Sequence, residues 1–112
     1  MAIGSIKAFE FNVDGSKKGM NFLDAFYKWE ADYFTEKFKL STQIIERNTD
    51  FNFILFLLKG DLKDTHFETY FLFGEHNGSS YNLSIPIPSK WDSNTKMEFL
   101  KNSFASVKQK NQ

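Results

Sequence analysis

The sequence contains no cysteine among its 112 residues, and only one of its 14 basic residues is an arginine, Arg47. Without cysteine the chain has no disulfide framework, no thiol nucleophile and no zinc–thiolate site. A single arginine also gives little capacity for bidentate phosphate recognition. The 14 acidic residues balance the basic ones, so the formal net charge is zero. Zero charge argues against a general nucleic-acid or anionic-membrane binder.

Long hydrophobic runs are also absent. The longest apolar run, residues 51–58, has eight residues and includes the polar Asn52, whereas a membrane-spanning helix needs roughly 20. The first ten residues lack the basic segment and the continuous apolar segment of a secretory signal. The sequence therefore predicts no membrane partner, and we expect a cytoplasmic location.

Motifs for catalysis, phosphate binding and metal binding are missing as well. The chain has no G-x-G-x-x-G, G-x-x-x-x-G-K-[ST] or G-x-S-x-G motif. His66 and His76 are ten residues apart, which does not match the close spacing of metal ligands. We therefore expect no catalytic residue, no cofactor and no bound metal. The enzyme hypothesis that stays open uses His66 and Glu68, which share one face of a predicted strand.

Phenylalanine is abundant, with 14 residues, in a chain that is 41% apolar and 25% charged. This balance is typical of a folded globular chain with an aromatic core. We predict one domain over residues 3–108 and a flexible, polar C-terminal tail over residues 109–112.

The hydrophobic periodicity predicts the element order β-α-β-β-β-β-α. Alternation over residues 6–13 predicts a half-buried strand, and apolar spacings of three and four predict a helix over about 21–36, with Asn21 as its N-cap. Period two then predicts strands over residues 40–47, 51–59, 66–73 and 81–87. Because Pro86 cannot donate to a ladder, the last strand should lie at an edge or end there. Asp92, Ser93 and Asn94 are candidate caps of a second amphipathic helix.

Strands in hairpin succession with two helices indicate an α+β fold, an antiparallel meander sheet packed on one face by both helices. The strand over residues 51–59 is apolar on both sides, so it should be central. Helices on one face would leave an apolar patch on the other, which marks a partner site, a dimer interface or a ligand groove. The alternative is that the first strand, the long turns or the tail cover it. The predicted partner-binding residues are Ile54, Phe56, Leu58, Tyr70 and Leu72.

The C-terminal third contains Tyr81-Asn-Leu-Ser-Ile-Pro-Ile-Pro88, then Trp91, then a helix ending in Phe99-Leu-Lys-Asn-Ser-Phe-Ala-Ser-Val107. This ending resembles that of the PsbP-like family, in which a last strand and helix follow a helix and meander strands. The resemblance implies a non-enzymatic α+β scaffold that binds other proteins. The chain lacks the family's additional N-terminal strands and proline–tryptophan opening. No functional residue is carried over, because the sequence contains no site motif of that family.

Two functional hypotheses follow from the sequence. The first is a small non-enzymatic protein-interaction module, chaperone-, adaptor- or immunity-like, that binds another protein or a second copy of itself. The alternative is a carrier of a small apolar ligand, held in an aromatic-lined cavity between a curved sheet and a helix, as in cystatin-like or nuclear-transport-factor-like folds. Aromatic side chains on a sheet also bind single-stranded RNA, but the zero net charge argues against that function.

Overall fold

The computed structural model describes residues 2–85 and 90–110. Its elements are β1 (Ala2–Ser5), two 3-10 turns (Ile6–Ala8 and Glu10–Asn12), α1 (Gly19–Phe38), β2 (Ser41–Asn48), β3 (Phe53–Leu62), β4 (Thr65–His76), β5 (Ser79–Ser84) and α2 (Ser93–Lys110). This order of strands and helices confirms the predicted α+β class. Within this part of the chain, no helix combines the length and the apolar character needed to cross a bilayer.

The five strands form one antiparallel sheet in the order β1-β5-β4-β3-β2. The β3–β4 hairpin is the longest pairing and runs from the pair Phe53 and Gly74 to the pair Leu62 and Thr65. β3 lies inside the sheet, between β4 and β2, as its apolar pattern predicts, and β4 is the middle strand. In the described ranges the two edges of the sheet are β1, with four residues, and β2, with eight.

The helices pack on opposite faces of the sheet, so the prediction that both cover one face is wrong. α1 packs on the face that carries Ile54 and Phe56, which we call the α1 face. α2 packs on the face that carries Leu55 and Leu72, the α2 face. Because β3 and β4 are apolar on both sides, one helix on each face removes far more apolar surface from water than two helices on one face.

The predicted strand over residues 6–13 is also wrong. β1 ends at Ser5, and the chain then turns twice before α1 begins. The alternating Phe9 and Phe11 do not face a sheet; their rings pack against Phe22 and Phe26 of α1. Aromatic residues two apart in a turn segment thus produce the same period-two pattern as a half-buried strand.

Two predicted helix caps have different outcomes. α1 begins at Gly19 with Lys18 at the N-cap position, so Asn21 lies inside the helix and does not cap it. In contrast, Asp92 caps α2, since its Oδ1 accepts a hydrogen bond from the backbone N–H of Thr95 at 2.7 Å. Hydrogen bonds from the backbone and then from the side chain of Thr95 lower the pKa of Asp92.

The C-terminal elements differ from the prediction in their ends. β5 ends at Ser84 and is not at an edge, because β1 pairs along its outer side. The predicted continuation of this strand through Pro86 lies outside the described residues. α2 continues to Lys110, two residues beyond the predicted domain end at 108. Residues 111 and 112 of the predicted tail also lie outside the described ranges.

Candidate functional site

The five predicted partner-binding residues do not form one exposed patch. Ile54, Phe56 and Leu58 are at most 1% exposed, and strand alternation places them on the α1 face. Tyr70 and Leu72 lie on the α2 face, where Leu72 is fully buried and Tyr70 is half-buried. The uncovered sheet face that motivated this prediction does not exist, because each face is covered by a helix. Four of these side chains belong to the core, and Tyr70 packs against it.

His66 lies between two carboxylates near the tip of the β3–β4 hairpin. Its Nδ1 is 3.3 Å from an oxygen of Asp61 on the paired strand, and its Nε2 is 2.8 Å from an oxygen of Glu68. The hydrogen bond with Glu68, and then that with Asp61, raises the pKa of His66. With both ring nitrogens engaged and the side chain 62% exposed, the arrangement favours a solvated imidazolium over a free catalytic base.

The second histidine of the sequence, His76, lies far from His66. His76 is ten residues further along the same strand, roughly 33 Å away at 3.3 Å per residue. Among residues 2–85 and 90–110, no three acidic, histidine or cysteine side chains converge to hold a metal ion.

The exposed edge of β2 is the first feature of a different candidate surface. Ile44 and Ile45 are 43% and 41% exposed on this strand. A β-bulge at Ile45 shifts the register, so that Ile44 pairs with Phe56 and the next paired residue, Glu46, pairs with Leu55. The bulge therefore reverses the alternation of the strand: Ile44 lies on the α1 face and Glu46 on the α2 face. The extra residue, Ile45, adds exposed apolar surface at the edge.

Ion pairs on both faces connect β2 to the helices. Arg47 points to the α1 face, where its Nε and Nη2 donate to both carboxylate oxygens of Asp24 at 2.9 and 2.7 Å. Glu46 points to the α2 face, where its carboxylate is 3.3 Å from Nζ of Lys101. The second half of the edge strand is thus held between the two helices.

A groove of about 320 Å³ adjoins this strand on the α2 face. Its apolar surface comes from the rings of Phe53 and Phe104, both at most 5% exposed, and from Phe51, which is 59% exposed at the β2–β3 turn. Nζ of Lys108 donates to the carbonyl oxygen of Phe51 at 2.9 Å and lies 5.3 Å from the centre of its ring. We call this the Phe51 groove.

The charges in the Phe51 groove cancel. Glu46 and Glu98 each lie 3.3 Å from Nζ of Lys101, and Lys108 is the fourth charged lining residue. Two carboxylates and two ammonium groups leave no net charge. The groove is therefore suited to a neutral, apolar group.

Two other surface grooves among the described residues lie away from β2. One, of about 200 Å³, lies between β1 and α1 and contains Glu30, whose pKa burial raises. The other, of about 450 Å³, is beside the rings of Trp91 and Phe99 on α2. Both are open to solvent, unlike the cavity between sheet and helix that the ligand-carrier hypothesis predicts.

The sequence interpretation did not include Ile44, Ile45 or Phe51 among the site residues. One signal for them is present: residues 40–45 have no charged residue, no glycine and no proline, and they are rich in β-branched side chains. Such a segment is typical of a strand that pairs with other strands. Whether it lies at an edge depends on the strand order, which the local pattern does not contain.

Comparison with known proteins identifies no relative: no family model, no curated protein and no solved structure matches this chain. The resemblance of the C-terminal third to the PsbP-like family stays a prediction.

Proposed function

We propose that this protein is a small non-enzymatic interaction module that binds an extended segment of a partner protein along β2. The observation that carries the proposal is the open, eight-residue β2 edge, on which Ile44 and Ile45 are each about two-fifths exposed. An open strand presents unpaired N–H and C=O groups, and a partner strand satisfies both. Strand addition of this kind occurs in chaperones and in adaptor domains.

The two edges of the sheet differ in a way that supports this assignment. β1 has only four residues, and short edge strands are one means by which proteins prevent unwanted pairing. β2 has eight, and its only charged residues, Glu46 and Arg47, are bound to helices. The first half of β2 therefore carries no lysine, no proline and no free charge to oppose an incoming strand.

The Phe51 groove adjoins the same edge, because Glu46 and Asn48 of β2 also line the groove. In strand addition the backbone provides affinity, and pockets for individual side chains provide specificity. A neutral groove of about 320 Å³ with aromatic walls fits one apolar side chain of the bound segment. We therefore expect a neutral or apolar residue in the partner at this position.

The test is selection of binders from a display library of unstructured peptides, followed by mapping of the bound site with amide hydrogen exchange. We expect bound peptides to slow exchange in β2, and Ile44→Lys to weaken binding at least tenfold. Ile3→Lys is the matched control, since Ile3 is 60% exposed on β1 at the opposite edge. Urea unfolding of both variants checks that each remains folded.

Two results would contradict the proposal. One is that the selection returns no binder. The other is that the selected peptides protect a different surface, or bind the Ile44→Lys variant as tightly as the original protein.

A further inference from the structure

We infer that one occupant of the β2 edge is a second copy of this chain, paired antiparallel about a two-fold axis through Gln43. This inference rests on the proposed function, because it names a partner for the same edge. In this register Thr42 of one copy lies opposite Ile44 of the second, and Gln43 lies opposite Gln43. The two sheets then continue as one sheet of ten strands.

The residues of this segment are complementary to themselves on both faces. Thr42 and Ile44 lie on the α1 face, since they pair with Leu58 and Phe56 of β3. Opposed β-branched side chains are favourable cross-strand pairs. Gln43 lies on the α2 face, and its amide both donates and accepts, so two opposed copies can exchange hydrogen bonds.

The bulge and the charges favour this register. Residues 41–44 form a regular stretch of β2 that ends at the bulge. The two-fold axis at Gln43 pairs Thr42, Gln43 and Ile44 with the same regular segment of the second copy, and Ser41 then lies opposite Ile45. Glu46 and Arg47 lie beyond the bulge and take no part in the central pairs. The chain has zero net charge, so two copies do not repel each other at long range.

The contact is small, which predicts a weak dimer. Pairing from residue 41 to 45 involves five residues of each copy, whereas stable interfaces use about 20 to 30 a side. We therefore expect a reversible equilibrium between monomer and dimer that depends on protein concentration. A longer partner segment that also reaches the Phe51 groove would compete with the second copy.

The experiment is sedimentation equilibrium of the full chain at concentrations up to about 1 mM, a range that detects weak association. Gln43 is exposed, so Gln43→Lys and Gln43→Glu leave the core unchanged. Each variant alone places like charges opposite each other at the two-fold axis, and we expect at least a tenfold loss of dimer. An equimolar mixture places Lys opposite Glu, and we expect the dimer to return as a mixed species.

The two charge variants at position 43 test this register, because the two copies of residue 43 lie opposite each other only when the axis passes through Gln43. A monomer at every concentration would overturn the inference, and so would dimers that both single variants retain or that the mixture does not restore. The proposed function is tested separately from this dimer. If no dimer forms but peptides still protect β2, the edge binds partner segments and not a second copy of the chain.

Discussion

Gly74 of β4 lies directly against the ring of Phe104 in α2: a Cβ atom at position 74 would be 2.4 Å from two carbons of that ring. Phe104 is only 1% exposed, so the ring has little space in which to move. The missing side chain at position 74 therefore lets the helix approach the sheet on the α2 face.

We predict that Gly74→Ala lowers the free energy of unfolding by about 1 to 3 kcal/mol, the usual cost of overpacking a filled core. Gly4→Ala is the matched control, because a Cβ at Gly4 of β1 meets nothing closer than 3.8 Å. Urea unfolding measures both. An equal loss of stability in the two variants would contradict the close packing of α2 on β4. Combining Phe104→Leu with Gly74→Ala should recover part of the stability that Gly74→Ala loses.

Asn12 organises the segment between β1 and α1. It is 1% exposed; its side-chain amide donates to the carbonyl oxygens of Ile6 and Lys17 at 3.0 Å and accepts from the N–H of Lys17 at 2.8 Å. Asn12→Ala leaves these buried groups without partners, and we expect a loss of about 2 to 3 kcal/mol in the free energy of unfolding. Thermal or urea unfolding measures this loss.

The control for Asn12 is Asn21→Ala, which also tests the predicted cap of α1. Asn21 is exposed within the helix, where alanine has the higher helix propensity. We expect this variant to be as stable as the original protein or slightly more stable. A loss of about 1 kcal/mol would instead assign Asn21 the capping role that its position in the structure contradicts.

Glu30 should make stability depend on pH. In the described part of the chain it has no hydrogen-bond or ion-pair partner, and burial raises its pKa above that of the unfolded chain. The folded state then binds the proton more tightly, so stability decreases as pH rises through the folded pKa. We predict that Glu30→Gln increases stability at pH 7 and that this gain disappears at acidic pH.

Chemical unfolding at several pH values measures the effect of Glu30. Glu36→Gln, on the exposed surface of the same helix, is the control for removing one negative charge. A gain at pH 7 that is equal for both variants would assign the effect to net charge and not to burial of Glu30.

His66 should titrate above its ordinary pKa of 6.5, because Glu68 and Asp61 hydrogen-bond to its ring. Since the folded pKa is raised, the stabilisation is present below the unfolded value and is lost as pH rises through the folded pKa. We predict that Glu68→Gln lowers the pKa of His66 more than Asp61→Asn does, because the contact with Glu68 is 2.8 Å and that with Asp61 is 3.3 Å. NMR titration of the imidazole protons measures both, and equal or reversed effects would contradict this order.

The sequence is sufficient to predict most of the local structure. The stripe that includes Phe22 and Phe26 identifies α1, and Asp92 marks the start of α2. The apolar residues on both sides of β3 indicate its interior position in the sheet. These features depend on neighbouring residues, whose periodicity and capping chemistry are present in the sequence itself.

The predicted grouping of the site residues depends on contacts between distant residues, and the five residues do not share one uncovered face. Ile54 and Leu72 are apolar residues of adjacent strands, and only the register shows that they lie on opposite faces. The bulge at Ile45 likewise results from pairing with β3. No local pattern states which helix covers which face.

The sequence alone thus determined the class of fold, the order of its elements and an aromatic core. The tertiary structure decided that one helix covers each face and that Ile44 and Ile45 lie at an open edge. The physical reason is that hydrophobic burial has no direction: an apolar residue requires cover, but its identity does not specify the element that provides it.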